Sequence, residues 1–340
     1  TGVDIVYGQD VGLADPGAVR SNEAYLSQYI DHTVFEDGAK GYVVCSRQNQ
    51  PQGGAFPYMQ QGSLTKAVGY STDGFQFFGL SYKETNEPES LSRKTLANET
   101  YQYEFAYTAL QSELLNLNGE AEVVFYGLAK SNHPEGIAAL EYADEVTAAW
   151  DAVQKLEVQH GETLEQVKLS SGLGEPLVAL DMTEEEIKNL FPDRHQEERN
   201  EDSLLSFFTG SYEHIVLKAK ELLVERPHGH ILMSGGNVKL GAPVITTTSY
   251  MYGIFNSQLV IGNTNFNKMI SNARNALNVP KTAGQRIYVE MDGQYRLLTM
   301  PSLFEIGFNY VRWMYKTESD TLIVTNYTGA HTTEVSMNVC

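Results

Sequence analysis

The sequence predicts a mainly β protein: β-sandwich modules joined by a helical connector. Three observations predict it. Short alternating apolar runs with turn punctuation fill residues 1–134. Apolar residues recur at three- and four-residue spacing through 135–225. Alternation and hairpin signals return over 226–340, a second β module that need not be complete. β runs on both sides of a helical section favour layered sandwiches. A 340-residue chain with 42% hydrophobic content has enough apolar mass for such cores.

In the first section, Asp4-Ile-Val-Tyr alternates and reads as a strand. Asn22 to Ile30 puts Tyr25, Leu26 and Tyr29 at helical spacing, a helical turn or an irregular loop. Gly41 to Cys45 is a short apolar strand. Thr72-Asp-Gly signals a turn, and Phe75 and Phe77 then share one face of an expected strand running to Tyr82. Tyr101, Tyr103, Phe105 and Tyr107 alternate with Gln102, Glu104 and Ala106, a half-buried strand. Glu120 to Leu128 repeats that pattern.

The middle section is expected to be helical over Pro134 to Leu156. Thr183-Glu-Glu-Glu has the form of a capping box before Ile187 and Leu190. His214 to Val224 reads as an amphipathic helix, and the charged run Pro192 to Asp202 reads as a solvated face. In the last section, Arg286 to Leu298 predicts a hairpin whose Asp292-Gly293 supplies the left-handed turn positions. Phe308 to Tyr315, Leu322 to Tyr327 and Thr333 to Val339 are further strands. The chain opens at Thr1 without a methionine and closes just after a strand-like run, so it reads as a piece of a longer protein.

Charge and cysteine content narrow the function. A net charge of −19 repels phosphate backbones, which argues against nucleic acid and for a neutral substrate. The two cysteines, Cys45 and Cys340, form no disulfide framework or zinc spacing, which suits a reducing cytoplasm. Cys45 reads as a small core residue. No apolar run reaches membrane-spanning length. Neither a nucleophile elbow nor a phosphate or dinucleotide loop is present. His228-Gly-His230 lacks a third ligand for zinc.

The chemistry worth following is amide and aromatic. Arg47, Gln48, Asn49, Gln50, Gln52, Gln60 and Gln61 offer donors and acceptors around Phe56 and Tyr58. Sugars need that pairing: hydroxyls take bidentate polar partners, and the C–H face of the ring takes an aromatic platform. The same composition also describes an ordinary polar loop with two aromatics in the core. Asp10, Asp15, Glu23 and Asp31 stand near Arg20, Tyr25 and Tyr29, a cleft lining or a salt-bridged loop cluster. The asparagines of 263–278 face a polyol or satisfy their own turns.

Five blocks carry a family resemblance: GQDVGLADPGAVRSNEAYLSQYIDH (8–32), VVCSRQNQPQGG (43–54), RPHGHILMSGGN (226–237), YMYGIFNSQLVIGNTNFNKMISNARNALN (250–278) and GQRIYVEMDGQYRLL (284–298). They resemble the amino-terminal, non-catalytic part of glycoside hydrolase family 94 proteins, most of all its phosphorylases of 1,2-β-oligoglucans. Cyclic β-1,2-glucan synthases carry related modules. The resemblance implies supersandwich-like β domains and a helical linker ahead of an (α/α)6 barrel that holds the catalytic aspartate. It implies an inverting phosphorolysis in which inorganic phosphate, a co-substrate, replaces the base-activated water and α-glucose 1-phosphate leaves. No metal or organic cofactor is implied. The barrel is not in these 340 residues, so no catalytic residue carries over and the segment alone is expected to be inactive. Its implied partners are a β-1,2-glucan, the downstream barrel and a second copy in a homodimer. The candidate glucan contacts are Arg47, Gln48, Asn49 and Tyr58, with Arg20, Tyr25 and Tyr29 lining a cleft or dimer contact. A stand-alone carbohydrate-binding module and a glucan synthase segment are the alternatives.

Overall fold

The computed structural model describes residues 2–85, 87–102, 105–156, 174–210, 213–223, 229–233, 247–252, 257–261, 268–272, 287–307, 310–328 and 335–340. It is mainly β, and the chain divides into two compact units. One comprises 1–79 and 88–167; the other comprises 80–87 and 168–340.

The first unit is built on a seven-stranded sheet. Its order runs Val6–Asp10, Ala106–Ser112, Ala67–Asp73, Gly41–Gln48, Tyr58–Ser63, Phe125–Lys130, with Ile30–Asp37 paired to Gly41–Gln48. Gly41–Gln48 is the hub. It pairs antiparallel with two strands and touches Ala67 through one parallel bridge at Gly41. Only glycine fits there: φ is +74°, and an added Cβ would sit 1.9 Å from the Ala67 carbonyl oxygen. Alternation sorts the hub's side chains. Val43 and Cys45 pack with Tyr58, Phe35 and Leu128 on one face. Val44 packs with Leu110, Val34 and Phe125 on the other. The first and last strands of the sheet approach each other, since Tyr7 stacks on Phe125 at 5.6 Å, so the sheet curls.

The second unit is a sandwich around a seven-stranded antiparallel sheet. That sheet runs His195–Asn200, Ser203–Thr209, Glu213–Leu217, Leu303–Ile306, Tyr310–Lys316, Thr321–Thr328, Val335–Val339. Neighbouring residues serve opposite cores. Phe207, Ile215, Leu303 and Met314 meet Ile187 and Phe191 at the Glu184–Leu190 helix. Val216, Phe304, Val311, Trp313 and Val324 meet Leu177, Ile287 and Leu298 of a small sheet formed by Glu175–Leu177, Gln294–Leu298 and Tyr288–Met291. Burying each such side chain contributes about 1.5–3 kcal/mol. A further four-stranded sheet holds Gly229–Met233, Thr247–Tyr252, Ser257–Ile261 and Lys268–Asn272.

Several local expectations hold. Thr183 caps its helix, accepting from the Glu186 N–H while the Glu186 carboxylate accepts from the Thr183 N–H. Asp292 and Gly293 turn the hairpin at φ +52° and +73°. The strand after Thr72-Asp-Gly does not form. Asp73 instead accepts from the Gln76 N–H and starts the Gly74–Phe78 helix, which Gly79 ends at φ +75°. A strand begins only at Ala106, although Phe105 is buried against Phe78. In place of a helix from His214 to Val224, the described residues form a strand, Glu213–Leu217, followed by a helix, Lys218–Leu223. Ile215 and Val216 are buried on opposite faces of that strand, so the run is continuously apolar and mimics a helix face. Helix in the Pro134 to Leu156 run is confined to Ala143–Val153, because Ile137 and Leu140 are used to cover the Val43–Tyr58 cluster. Asn22 to Ser27 belongs to a longer helix, Pro16–Ser27; Gln28 and Tyr29 turn the chain and Ile30 opens the Ile30–Asp37 strand. The Pro192 to Asp202 run is exposed and supplies an edge strand. Cys45 is fully buried, and burial pushes its thiol up to about 11, which leaves it a packing residue.

Candidate functional site

The amide–aromatic segment folds into two layers of different character. Its inner layer is structural. Arg47 lies on the hub strand with only 7% of its surface exposed. Its Nε donates to the His133 carbonyl at 2.7 Å, one terminal nitrogen donates to the Pro134 carbonyl at 2.8 Å, and the other donates to Asn49 Oδ1. The guanidinium also lies 4.4 Å above the Phe56 ring centre. Gln48 is fully buried: its Nε2 donates to the Leu26 carbonyl and its Oε1 accepts from the Gln50 N–H. Tyr58 is 1% exposed, stacks on His133 at 4.6 Å and donates to Gln60 Oε1 at 3.0 Å. Burial holds its phenol well above the usual tyrosine range. The structure thus places Arg47, Gln48 and Tyr58 beneath the surface, with their polar groups directed to the protein.

The outer layer is different. Asp15 caps the Pro16–Ser27 helix, accepting from the N–H groups of Gly17 and Ala18, with Pro16 at the first helical position. That helix presents Tyr25, and the turn after it presents Tyr29. They are 43% and 38% exposed and meet edge to face, with ring centres 5.1 Å apart. The hydrogen bond and proximity to Tyr25 raise the Tyr29 phenol from its ordinary value. The exposed Asn49 is tied in by its N–H, which donates to the Tyr29 carbonyl at 2.8 Å. Gln50 Nε2 reaches the Tyr25 hydroxyl at 3.5 Å. Gln52 Oε1 accepts from the Asp15 N–H at 3.4 Å. Two exposed rings thus stand together at the surface, flanked by side-chain amides.

Sequence position alone joined these residues to Arg20, which lies on the same helix but whose side chain is outside the described residues. So are the side chains of His228 and His230 and the asparagine-rich 263–278 segment. Asp15, read as part of a cleft lining or a salt-bridged loop cluster, is a helix cap. His133 and Pro134, the carbonyl partners of Arg47, went unmarked in the sequence, because a bond across 86 residues leaves no local pattern. In the second unit a groove of about 230 Å³ is lined by Asp181, Glu184, Asp202, Lys218 and Ser302. No aromatic ring lines it, and Lys218 Nζ is engaged by Glu84 at 2.8 Å and by the Ala179 carbonyl.

Residues 1–127 match the SOGP N-terminal domain, and residues 191–340 match the glycoside phosphorylase supersandwich domain. The chain is 44% identical over 337 residues to a 1,2-beta-oligoglucan phosphorylase of Listeria innocua. The alignment takes in 99% of this chain and 30% of that relative, so the chain spans under a third of the relative's length.

Proposed function

Since the chain belongs to the glycoside phosphorylases through its SOGP N-terminal and supersandwich domains, we propose that it is the amino-terminal, non-catalytic part of an inverting phosphorylase of β-1,2-glucooligosaccharides. The supporting observation is 44% identity across nearly the whole chain to a protein more than three times its length. The reaction consumes inorganic phosphate and yields α-glucose 1-phosphate, with the acid that protonates the leaving oxygen supplied outside these residues. This chain contributes scaffold and one glucan-facing surface, the Tyr25–Tyr29 platform with Asn49 and Gln50 at its margin.

Phosphate-dependent release of glucose 1-phosphate from β-1,2-oligoglucans by the whole polypeptide tests the reaction; no release would sink it. Tyr25→Ala and Tyr29→Ala test the surface. Losing a stacking contact of about 1 kcal/mol raises KM several-fold. Folding stability stays near that of the parent, because both rings are exposed. An unchanged KM would remove the platform from the substrate path. Calorimetry of the 340-residue chain with the same oligoglucans separates this reading from a stand-alone binding module, which requires millimolar or tighter affinity.

A further inference from the structure

The concave face of the first unit's sheet is not uniformly apolar. It is the face on which Tyr7 and Phe125 meet across the curl. At one end Val44, Ala67 and Leu110 pack with Val34, Tyr70 and Phe125. At the other, Val11, Ile30, Met59 and Ala106 pack with Leu13. Between the two clusters runs a polar belt, whose members follow from register because alternate residues share a face. Val44 stands opposite Gln61, and Ser46 stands opposite both His32 and Met59. Tyr7 stands opposite Leu110, and Gln9 stands opposite Thr108. His32, Ser46, Gln61, Thr108 and Gln9 therefore all face the side of Val44 and Leu110.

The protein satisfies only part of this belt. His32 Nδ1 lies 2.9 Å from Ser46 Oγ, and the Tyr7 hydroxyl donates to Gln9 Oε1 at 3.0 Å. Four further atoms are sealed from bulk solvent and have no hydrogen-bond partner among the described residues: His32 Nε2, Gln61 Nε2, Gln61 Oε1 and Thr108 Oγ1. Gln61 and Thr108 are both fully buried. Buried polar groups in folded proteins are nearly always hydrogen-bonded. Flipping the Gln61 amide does not help, because both of its ends lack partners. There is also room beside it. Gly127 stands opposite Gln61, and a Cβ added there would meet nothing nearer than Gln9 Oε1 at 3.9 Å. None of the belt side chains carries charge at neutral pH, since burial pushes His32 down to about 4. The belt thus suits an occupant that is small, neutral and able to donate and accept at once. Hydroxyl groups meet all three conditions.

We infer that the belt is an internal binding site for hydroxyl groups, which bridge Gln61 to Thr108 and to His32 Nε2. Two sources share that chemistry: ordered water, the usual partner of buried polar groups, and a small polyol such as glucose or glycerol. The site is separate from the Tyr25–Tyr29 surface and does not depend on the phosphorylase reading.

Stability of the whole polypeptide tests the bridge, with hydrogen exchange in Gly41–Gln48 reporting the first unit. Gln61→Met and Thr108→Val remove polarity with little change of shape. A shared ligand makes each substitution lower protection by about 5- to 10-fold, and makes the double variant lose clearly less than the product of the two. Unserved groups give the reverse, because apolar replacements then raise protection. A gain, no change, or two losses that simply multiply overturns the inference. The source of the hydroxyls is read separately. Glucose or glycerol in the site raises the parent's Tm to a plateau that Gln61→Met abolishes. Water in the site gives no plateau, and magnetic relaxation dispersion of the solvent then shows a long-lived molecule that Gln61→Met loses. Absence of both signals also overturns the inference.

Discussion

Arg47 shows how residue chemistry and residue role separate. Its fork of donors is the kind that binds sugar hydroxyls, yet the fork closes on two backbone carbonyls and one amide of the protein itself. Arg47→Ala leaves the His133 and Pro134 carbonyls unpaired and should cost about 2–4 kcal/mol in urea unfolding. A change in KM with stability intact would show the opposite role. His32 offers a second residue-scale prediction. Its Nδ1 lies 2.9 Å from Ser46 Oγ, while its Nε2 is sealed from water and has no partner among the described residues. Desolvation pushes the ring down from 6.5 to about 4. The unfolded chain therefore binds a proton that the folded chain refuses between those values. The stability from neutral His32 is full above pH 6.5 and is lost as pH falls towards 4, by up to about 3 kcal/mol. Urea midpoints at pH 7 and pH 5 should fall more steeply for the parent than for His32→Asn; parallel falls would mean that another group drives the acid transition. Glu184 and Glu186, each held near 2 by basic partners, act only at lower pH.

Among elements, those with chemical punctuation were the most legible in the sequence. The Thr183 capping box and the Asp292-Gly293 hairpin each satisfy local backbone demands, so local sequence suffices. Asp73-Gly74 was misread because one dipeptide serves both a hairpin turn and a helix start. The choice fell to Phe77 and Phe78, which are buried against Tyr107. Ile215 and Val216 were misread because a strand buried on both faces loses its alternation. Gly41 was legible only as the start of a short apolar strand, while its demand comes from Ala67 across the sheet. Gly41→Ala combines a left-handed φ with a collision against a carbonyl. It should cost about 2–5 kcal/mol, enough to unfold the first unit in mild urea. A loss below 1 kcal/mol would mean that the bridge to Ala67 is dispensable.

On the scale of the whole molecule, the β class and sandwich layering were legible because alternation is repeated in many strands. The division into units was not. Residues 80–87 follow the first unit in sequence and belong to the second. Glu84 in that segment holds the buried Lys218 at 2.8 Å, a pairing that no local pattern announces. Glu84→Gln should destabilise the second unit by about 1–3 kcal/mol while leaving the first unchanged. Unfolding followed by hydrogen exchange resolves the two, and equal losses in both units would contradict the assignment. The candidate platform was legible in part. Tyr25, Tyr29 and Asn49 reach the surface, whereas Arg47, Gln48 and Tyr58 are buried, and the Arg20 side chain lies outside the described residues.

The early placement of residues 80–87 also sets an order of events during synthesis. Glu84 leaves the ribosome more than a hundred residues before Lys218. At ordinary elongation rates the wait is on the order of ten seconds. For the first part of it, until residue 167 has emerged, the first unit still lacks its returning stretch, and for the whole of it the segment has no host. The nascent chain must keep a short stretch idle, without letting its neighbours absorb it, until the second unit is long enough to take it in.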